Sequence, residues 1–371
     1  MIDDFWMMIL LASGVRGCSL RRPGRCLTTP TGGSGTWGRE FTQQILSEVR
    51  AGEIRIYSRG EYHQVEMRRA FQDEKRLKFI IGDVRDRARL AAATRGTDAI
   101  VHLAALKHVP VVEENPWEAL QTNTIGSQNV VETAIANEVE RVLFVSSDKA
   151  VDPLNFYGIS KLAAERLFLA GNQEGSRTRF VVFRAGNVMG SAGSVIPVFQ
   201  QQLVYLNKLT LTDPKMTRFF MAKRDAVRLA LDALRIGVGA EIFIPKMKAA
   251  TLDLLSRIML ENLGDSQAKI ERIDLRPGEK CAELLISRNE IIRARELRTM
   301  WVVLPFFPPR ELQMRYRRAG PVTFTEYSSD AAQQFSREEL ESLLREEGFL
   351  SREIPSPPSP LYFRKNASVF H

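Results

Sequence analysis

Between Cys26 and about Val188 short apolar, β-branched runs alternate with stretches of helix length, and this rhythm constrains the fold more than any other feature of the chain. Ile54-Arg-Ile-Tyr57, Leu77 to Ile81, Ala99-Ile-Val-His102, Val142-Leu-Phe-Val145 and Phe180 to Phe183 are predicted strands. Near-continuous apolar strands, with helical segments between them, require a parallel sheet covered on both faces. The 371 residues, 44% hydrophobic and 26% charged, are enough for a large α/β unit with an appended lobe. After Asn187 the pattern loosens. Pro197, Pro214, Pro245, Pro277 and the Leu304-Pro-Phe-Phe-Pro-Pro309 cluster divide it into short elements, as expected of a smaller lobe that would hold the helical runs 224–235 and 251–263.

Thr31-Gly-Gly-Ser-Gly-Thr-Trp-Gly38 stands between the first strand and the first helix. Glycines at 32, 35 and 38 let the backbone turn sharply, approach a pyrophosphate and aim helix N–H groups at it. With the strand Ile54–Tyr57 following, the segment completes a βαβ unit. The fold class is therefore α/β, a doubly wound parallel Rossmann sheet with a smaller C-terminal substrate-binding lobe. Gly32, Ser34, Gly35, Thr36, Trp37 and Gly38 are the candidate phosphate contacts. Ser58-Arg59 occupies the end of the second strand where an acidic residue would accept a ribose 2′-hydroxyl, and an arginine there favours a 2′-phosphate, hence NADP. Asp83 and Val84, after the third strand, are placed to hold an adenine, and Ala104 offers a small surface after the fourth. Pro30 conflicts with this pattern, because proline cannot donate to a ladder and is disfavoured in a central strand.

Ser146-Ser-Asp-Lys149 ends the fifth strand, and Tyr157-Gly-Ile-Ser-Lys161 follows. Four residues apart on a helix, Tyr157 and Lys161 share one face, where the ammonium is expected to lower the phenol's pKa and to hold a nicotinamide ribose. That arrangement oxidises a sugar hydroxyl. Asp148 and Lys149 add an acid/base couple that simple hydride transfer does not need.

The net charge of +8 is concentrated at the ends. Arg16, Arg21, Arg22 and Arg25 against Asp3 and Asp4 give +2, and Arg352, Glu353, Arg364 and Lys365 another +2, so half the excess lies there. The remainder is dispersed, which favours an anionic small molecule over nucleic acid. Cys18, Cys26 and Cys281 have no metal-ligand spacing and no disulfide framework, so no metal and a cytoplasmic location are expected. Phe5 to Ala12 is too short to span a bilayer, and no membrane association is expected. The expected organisation is an atypical extension over 1–25, an NADP-binding domain over 26–190, an interleaved substrate lobe over 191–350 and a flexible Pro/Ser tail over 351–371.

In order, the glycine turn, Ser58-Arg59, Gly82-Asp-Val-Arg-Asp86, Ala104-Ala-Leu-Lys-His-Val-Pro110, Thr122-Asn123, Ser146-Ser-Asp-Lys149, Gly186-Asn-Val188, Gly193-Ser-Val-Ile-Pro197, Met216-Thr-Arg-Phe219 and Arg276-Pro-Gly-Glu-Lys280 can be read together. The chain resembles the inverting UDP-N-acetylglucosamine 4,6-dehydratases over about Thr31 to Phe349. That resemblance implies surface-glycan biosynthesis with NADP, and a homo-oligomer, since relatives are often hexamers. It implies Tyr157 as the base at the sugar's 4-hydroxyl, Lys149 as the base at C5 and Asp148 as the acid at the departing 6-hydroxyl. Ser147 and Lys107 would contact the cofactor, and Lys107, Asn187, Arg218 and Arg276 the UDP-sugar. His108 reads as a packed loop residue.

The chain departs from the family at Ala185, where an aromatic is usual, at Ala192, where an arginine is usual, and at Gly60 after Arg59. These differences, with Pro30, keep two other readings open. One is an NADP-dependent nucleotide-sugar epimerase or reductase, and the other a degenerate, non-catalytic nucleotide-binding homologue.

Overall fold

The computed structural model describes residues 26–48, 51–172, 176–191, 193–275 and 278–353. The chain divides into two compact units.

The first unit takes the described residues up to Ala185, then Arg224–Lys246 and Arg288–Thr325. Its centre is a nine-stranded sheet. The strands β1 (Cys26–Thr31), β2 (Ala51–Ser58), β3 (Leu77–Ile81), β4 (Ala99–His102), β5 (Arg141–Ser147) and β6 (Arg179–Ala185) lie in the order β3-β2-β1-β4-β5-β6. All are parallel to their neighbours. The order reverses direction between β1 and β4, and such a switch point opens a crevice at the strands' carboxyl ends. Full burial of Ile54, Ile56, Ile100, Val101, Val142, Leu143, Phe180 and Val182 explains why these strands read as continuous apolar runs.

The chain leaves the first unit after Ala185 and returns to the sheet twice beyond it. Ile242–Pro245 extends the parallel sheet beside β6, with Ile242 opposite Val182. Helix Lys223–Ile236 is the crossover that leads to it, buries Val227, Ala230, Leu231 and Leu234, and so belongs to the sheet's unit rather than to the lobe. Met300–Val303 and Ala294–Glu296 complete the edge as antiparallel strands. Pro245 ends a strand rather than breaking one, because its missing N–H falls at the element's last position.

Pro30 is the penultimate residue of β1. It is opposite Val101 of β4, whereas the β1–β2 ladder registers Thr28 with Ile54 and resumes at Thr31 with Tyr57. The ring sits in that gap, and Gly32 N–H restarts the bonding by donating to Tyr57 O at 2.8 Å. A central strand therefore tolerates proline at the cost of one ladder bond, next to a turn that leaves the ladder anyway.

The second unit takes Gly186–Lys223, Met247–Ser287 and the described residues from Glu326. Three small sheets and the helices Val195–Leu206, Leu252–Leu263 and Arg337–Glu346 surround a core that includes Phe199, Leu203, Leu255, Met259 and Leu340. Thr251 caps the second of these helices by accepting from Leu254 N–H, and Ser336 with Glu339 forms a capping box on the third. Among the described residues no helix is long and apolar enough to cross a membrane. The N-terminal extension 1–25, Ala192, Arg276 and most of the Pro/Ser tail lie outside the described residues.

Candidate active site

The glycine turn lies at the switch point. Gly32 has φ +67°, and a Cβ there would approach Ala104 N to 2.8 Å, so the turn needs a glycine at this position. A Cβ on Gly38 would meet Gly33 O at 2.1 Å, so helix Thr36–Glu48 packs on its own turn only without one. Gly35 differs. It is exposed, and its Cβ would meet nothing nearer than 3.4 Å, so protein packing does not demand glycine there. The open approach fits a dinucleotide's pyrophosphate drawn against the backbone. Ser34 Oγ donates to Ser58 Oγ at 2.9 Å, and Gln64 Nε2 donates to the same Ser58 Oγ, so the two predicted contacts brace the turn against β2. Trp37 stacks on Phe41 at 6.0 Å.

At the end of β2 the Arg59 side chain is half exposed, its guanidinium 3.8 Å from the Asp83 carboxylate. Asp83 is held more closely by Arg85, whose Nη2 lies 2.8 Å away and whose backbone N–H donates at 2.9 Å. Burial raises the Asp83 pKa, but the Arg85 bonds outweigh it and leave the carboxyl below its usual range. Val84 is buried, and its carbonyl accepts from Asn129 Nδ2 at 2.9 Å.

The predicted catalytic residues converge. β5 ends at Ser147, whose Oγ donates to Asp148 Oδ1 at 2.8 Å and accepts from Lys149 N–H at 3.2 Å. Lys149 Nζ donates to the same Asp148 Oδ1 at 3.0 Å, and the Asp148 side chain is 1% exposed. Helix Phe156–Ala170 is started by Asn155, which accepts from Gly158 N–H at 2.9 Å. A Cβ at Gly158 would meet Lys149 O at 2.2 Å, so this glycine lets the Asp148–Lys149 turn lie directly on the helix beside Tyr157. The Tyr157 ring packs with Val112 and Ala119.

The charges around Tyr157 correct one expectation. Burial dominates and raises the phenol's pKa; the Lys149 ammonium and a Ser147 hydrogen bond act against it, while Asp148 adds to it. The cation that lowers the phenol's pKa is thus Lys149, not Lys161. Lys161 Nζ instead donates to Val145 O at 2.8 Å and lies 4.1 Å over the Phe144 ring. Burial brings the Lys161 ammonium down to about 7 from 10.5, with Glu165 opposing. The folded state therefore favours neutral Lys161, and this residue costs stability once the unfolded chain's amine is protonated. Relative to Lys161→Met, stability should fall as pH drops from about 10.5 to about 7 and stay level below that. Urea titrations of both proteins across this range check it, and a pH-independent difference would refute the assignment.

Three residues without a predicted role complete the site. Asn123 lies in the π-helical segment Leu120–Ile125, donates to Leu106 O at 2.8 Å and accepts from Leu106 N–H at 2.7 Å, which clamps the loop bearing Lys107. Wide turns of this kind often occur at functional sites. Asn123 also donates to the second residue, Ser160, at Oγ over 2.9 Å. Gly158 is the third, and its position directly after Tyr157 was its only signal in the sequence. Lys107 is half-buried, and burial lowers its ammonium's pKa. His108 is exposed rather than packed, at the N-cap of helix Val109–Glu114.

Asn187 and Arg218 belong to the second unit. Asn187 pairs with Phe220 and is half-buried. Arg218 is buried, donates to Thr217 O at 2.8 Å, and lies 3.7 Å from both the Glu279 and Glu283 carboxylates. Ala185 is buried at the end of β6. Among the described residues no group of His, Cys, Asp and Glu could hold a metal ion.

The sequence model of a family described as "polysaccharide biosynthesis protein" matches residues 29–305. An inverting UDP-N-acetylglucosamine 4,6-dehydratase of Campylobacter jejuni (serotype O:23/36, strain 81-176) is 40% identical over 74% of this chain and 81% of its own. A protein named UDP-glucose 4-epimerase from Rickettsia akari is 43% identical over 72% of this chain and 79% of its own. The X-ray structure of Pen from Bacillus thuringiensis superposes with a TM-score of 0.80 at 38% identity, over 86% of this chain and 98% of that one. A match spanning most of the chain, over the glycine turn and helix Phe156–Ala170 alike, places it: this chain belongs to the polysaccharide biosynthesis protein family.

Proposed function

We propose that the chain dehydrates UDP-N-acetylglucosamine to a UDP-4-keto-6-deoxy-N-acetylhexosamine with inversion at C5, for glycan biosynthesis. The observation that carries this reading is the Asp148–Lys149 pair packed on the Tyr157 helix, joined by one 3.0 Å bond. A nicotinamide dinucleotide would supply the hydride acceptor for C4 and, later, the donor for C6. Tyr157 takes the 4-hydroxyl proton as C4 becomes a ketone, and the ketone acidifies C5–H. Lys149 removes that proton, and Asp148 protonates the 6-hydroxyl as it leaves as water. C5 is then reprotonated from the opposite face, with the proton that Tyr157 took from the 4-hydroxyl closing the balance. Proton transfer from Lys149 to Asp148 along their shared bond makes the base and the acid together, without a proton from solvent.

Mass spectrometry tests the reading. Incubation with UDP-N-acetylglucosamine should give a product lighter by one water, and Lys149→Ala should lose that product. The name of the Rickettsia relative favours a second reading, 4-epimerisation. An epimerase leaves the mass unchanged and would be spared by Lys149→Ala. Unchanged substrate at high enzyme concentration would sink both and leave the non-catalytic homologue.

The turn would hold the dinucleotide through the backbone around Gly35, and Arg59, half exposed beside Asp83, supports NADP through its 2′-phosphate. Gly35→Ala should leave the melting temperature unchanged and weaken NADP binding roughly tenfold, as for one or two lost hydrogen bonds to phosphate. Calorimetric titration with NADP and NAD measures both the loss and the preference. Equal affinity in the variant would remove the pyrophosphate from this turn. By resemblance the protein is a homo-oligomer of the cytoplasm, with Lys107, Asn187, Arg218 and Arg276 toward the UDP-sugar. Sedimentation velocity reads the oligomeric state.

A further inference from the structure

His102, the last residue of β4, is fully buried and has no part in the chemistry above. It is nevertheless the junction of a continuous hydrogen-bonded chain. On one side its Nδ1 lies 2.6 Å from Thr31 Oγ1, and Thr31 is the residue before Gly32 of the turn. On the other its Nε2 lies 3.1 Å from Ser127 Oγ. Ser127 Oγ donates to Asn123 O at 2.6 Å, Asn123 Nδ2 donates to Ser160 Oγ at 2.9 Å, and Ser160 Oγ donates to Tyr157 O at 2.7 Å. Asn123 also clamps Leu106, beside Lys107. Every link lies within the first unit.

The bond pattern sets the tautomer. The single proton of Ser127 Oγ goes to the shorter contact with Asn123 O, so His102 Nε2 must donate to Ser127. An uncharged ring then has Nδ1 as acceptor, and the Thr31 hydroxyl donates to it. Burial, with the nearby Lys161 charge, brings the His102 pKa down to about 3, consistent with an uncharged imidazole. The ring also stacks on Phe144 and Phe168, each at 5.6 Å, and Phe144 is the ring beneath Lys161 Nζ.

We propose that His102, as its Nε2–H tautomer, is a positioning residue that locks the phosphate turn and the Tyr157 helix into one register. This rests on the reading of the site as a dinucleotide-dependent sugar-oxidising centre. A dinucleotide seated on the turn must present its reactive end to Tyr157 and Lys161, and small misplacement of reacting groups is costly. The chain of bonds from Thr31 to Tyr157 links the turn at one end of that ligand's site to the helix at the other.

His102→Phe keeps the aromatic block and removes both polar links. Expected are about a tenfold rise in NADP Kd and about a tenfold loss of kcat at saturating NADP, with partial recovery in His102→Gln. Thr31→Val and Ser127→Ala cut the links singly at opposite sides of the ring. Their effects on kcat should be non-additive with each other and carry the test if His102→Phe does not fold. Imidazole 15N shifts of the unsubstituted protein should show protonated Nε2 and bare Nδ1. A merely structural role would lower the melting temperature and leave kcat of the folded, saturated variants unchanged. That result, additive effects or the opposite tautomer would overturn the proposal. Failure of the unsubstituted protein to release water from UDP-N-acetylglucosamine would count against the substrate reading instead, and NADP affinity and the tautomer would still decide the role of His102.

Discussion

Tyr157→Phe is expected to lower turnover of UDP-N-acetylglucosamine by about 10²–10⁴-fold, the usual contribution of a positioned acid/base group. The substitution deletes only the hydroxyl, and the ring's packing with Val112 and Ala119 is kept, so the melting temperature should scarcely move. Because burial holds the phenol above its ordinary pKa, little tyrosinate is present at neutral pH, and the wild-type rate should rise with pH above 7. Lys149 is the cation that limits this rise in pKa, and as the base at C5 its removal should abolish water loss. Initial rates by mass spectrometry over pH 6–10 check both statements. A Tyr157→Phe rate within tenfold of wild type would exclude this tyrosine as the base at C4.

The second large effect is on stability. Arg184 in β6 is 1% exposed and binds two carboxylates at once. Glu165, one helical turn beyond Lys161, accepts from its Nε at 2.9 Å and Nη2 at 2.7 Å. Glu290, from helix Arg288–Ile291, accepts from Nη1 at 2.8 Å and Nη2 at 2.9 Å. Burial alone would lower the guanidinium's pKa, but the two carboxylates raise it above the ordinary value. Arg184→Met has a comparable length and removes the charge between two buried acids. Breaking such an arrangement costs about 3–5 kcal/mol, because a buried charge is left without its partner. Urea unfolding of both proteins measures it. A loss below about 1 kcal/mol would show that the network contributes no more than a surface pair.

Much of the first unit was legible because its signals are local. β3 and β4 were read to the residue, and the predicted cores of β2, β5 and β6 fall inside the observed strands; in β4 burial along the whole strand leaves an unbroken apolar run. Tyr157 and Lys161 share a helix face because helical period depends on nothing outside the helix. Interleaving was expected, but the segments that return to this unit were not legible. Helix Lys223–Ile236 has the same amphipathic pattern whichever unit it covers, and only its connection to Ile242–Pro245 beside β6 assigns it. The Arg184–Glu290 contact spans 106 positions, a separation that no local pattern encodes.

By itself, then, the sequence determined the α/β class, the switch-point turn and the identity of the groups able to move protons. Periodicity, glycine spacing and residue chemistry are properties of neighbours along the chain. Only the tertiary structure decided which charge faces which. Lys149, folded onto the helix at Gly158, lowers the Tyr157 pKa, whereas Lys161 turns to Val145 O and the Phe144 ring. Electrostatic influence depends on distance and burial, and both arise only when segments remote in the chain are packed together.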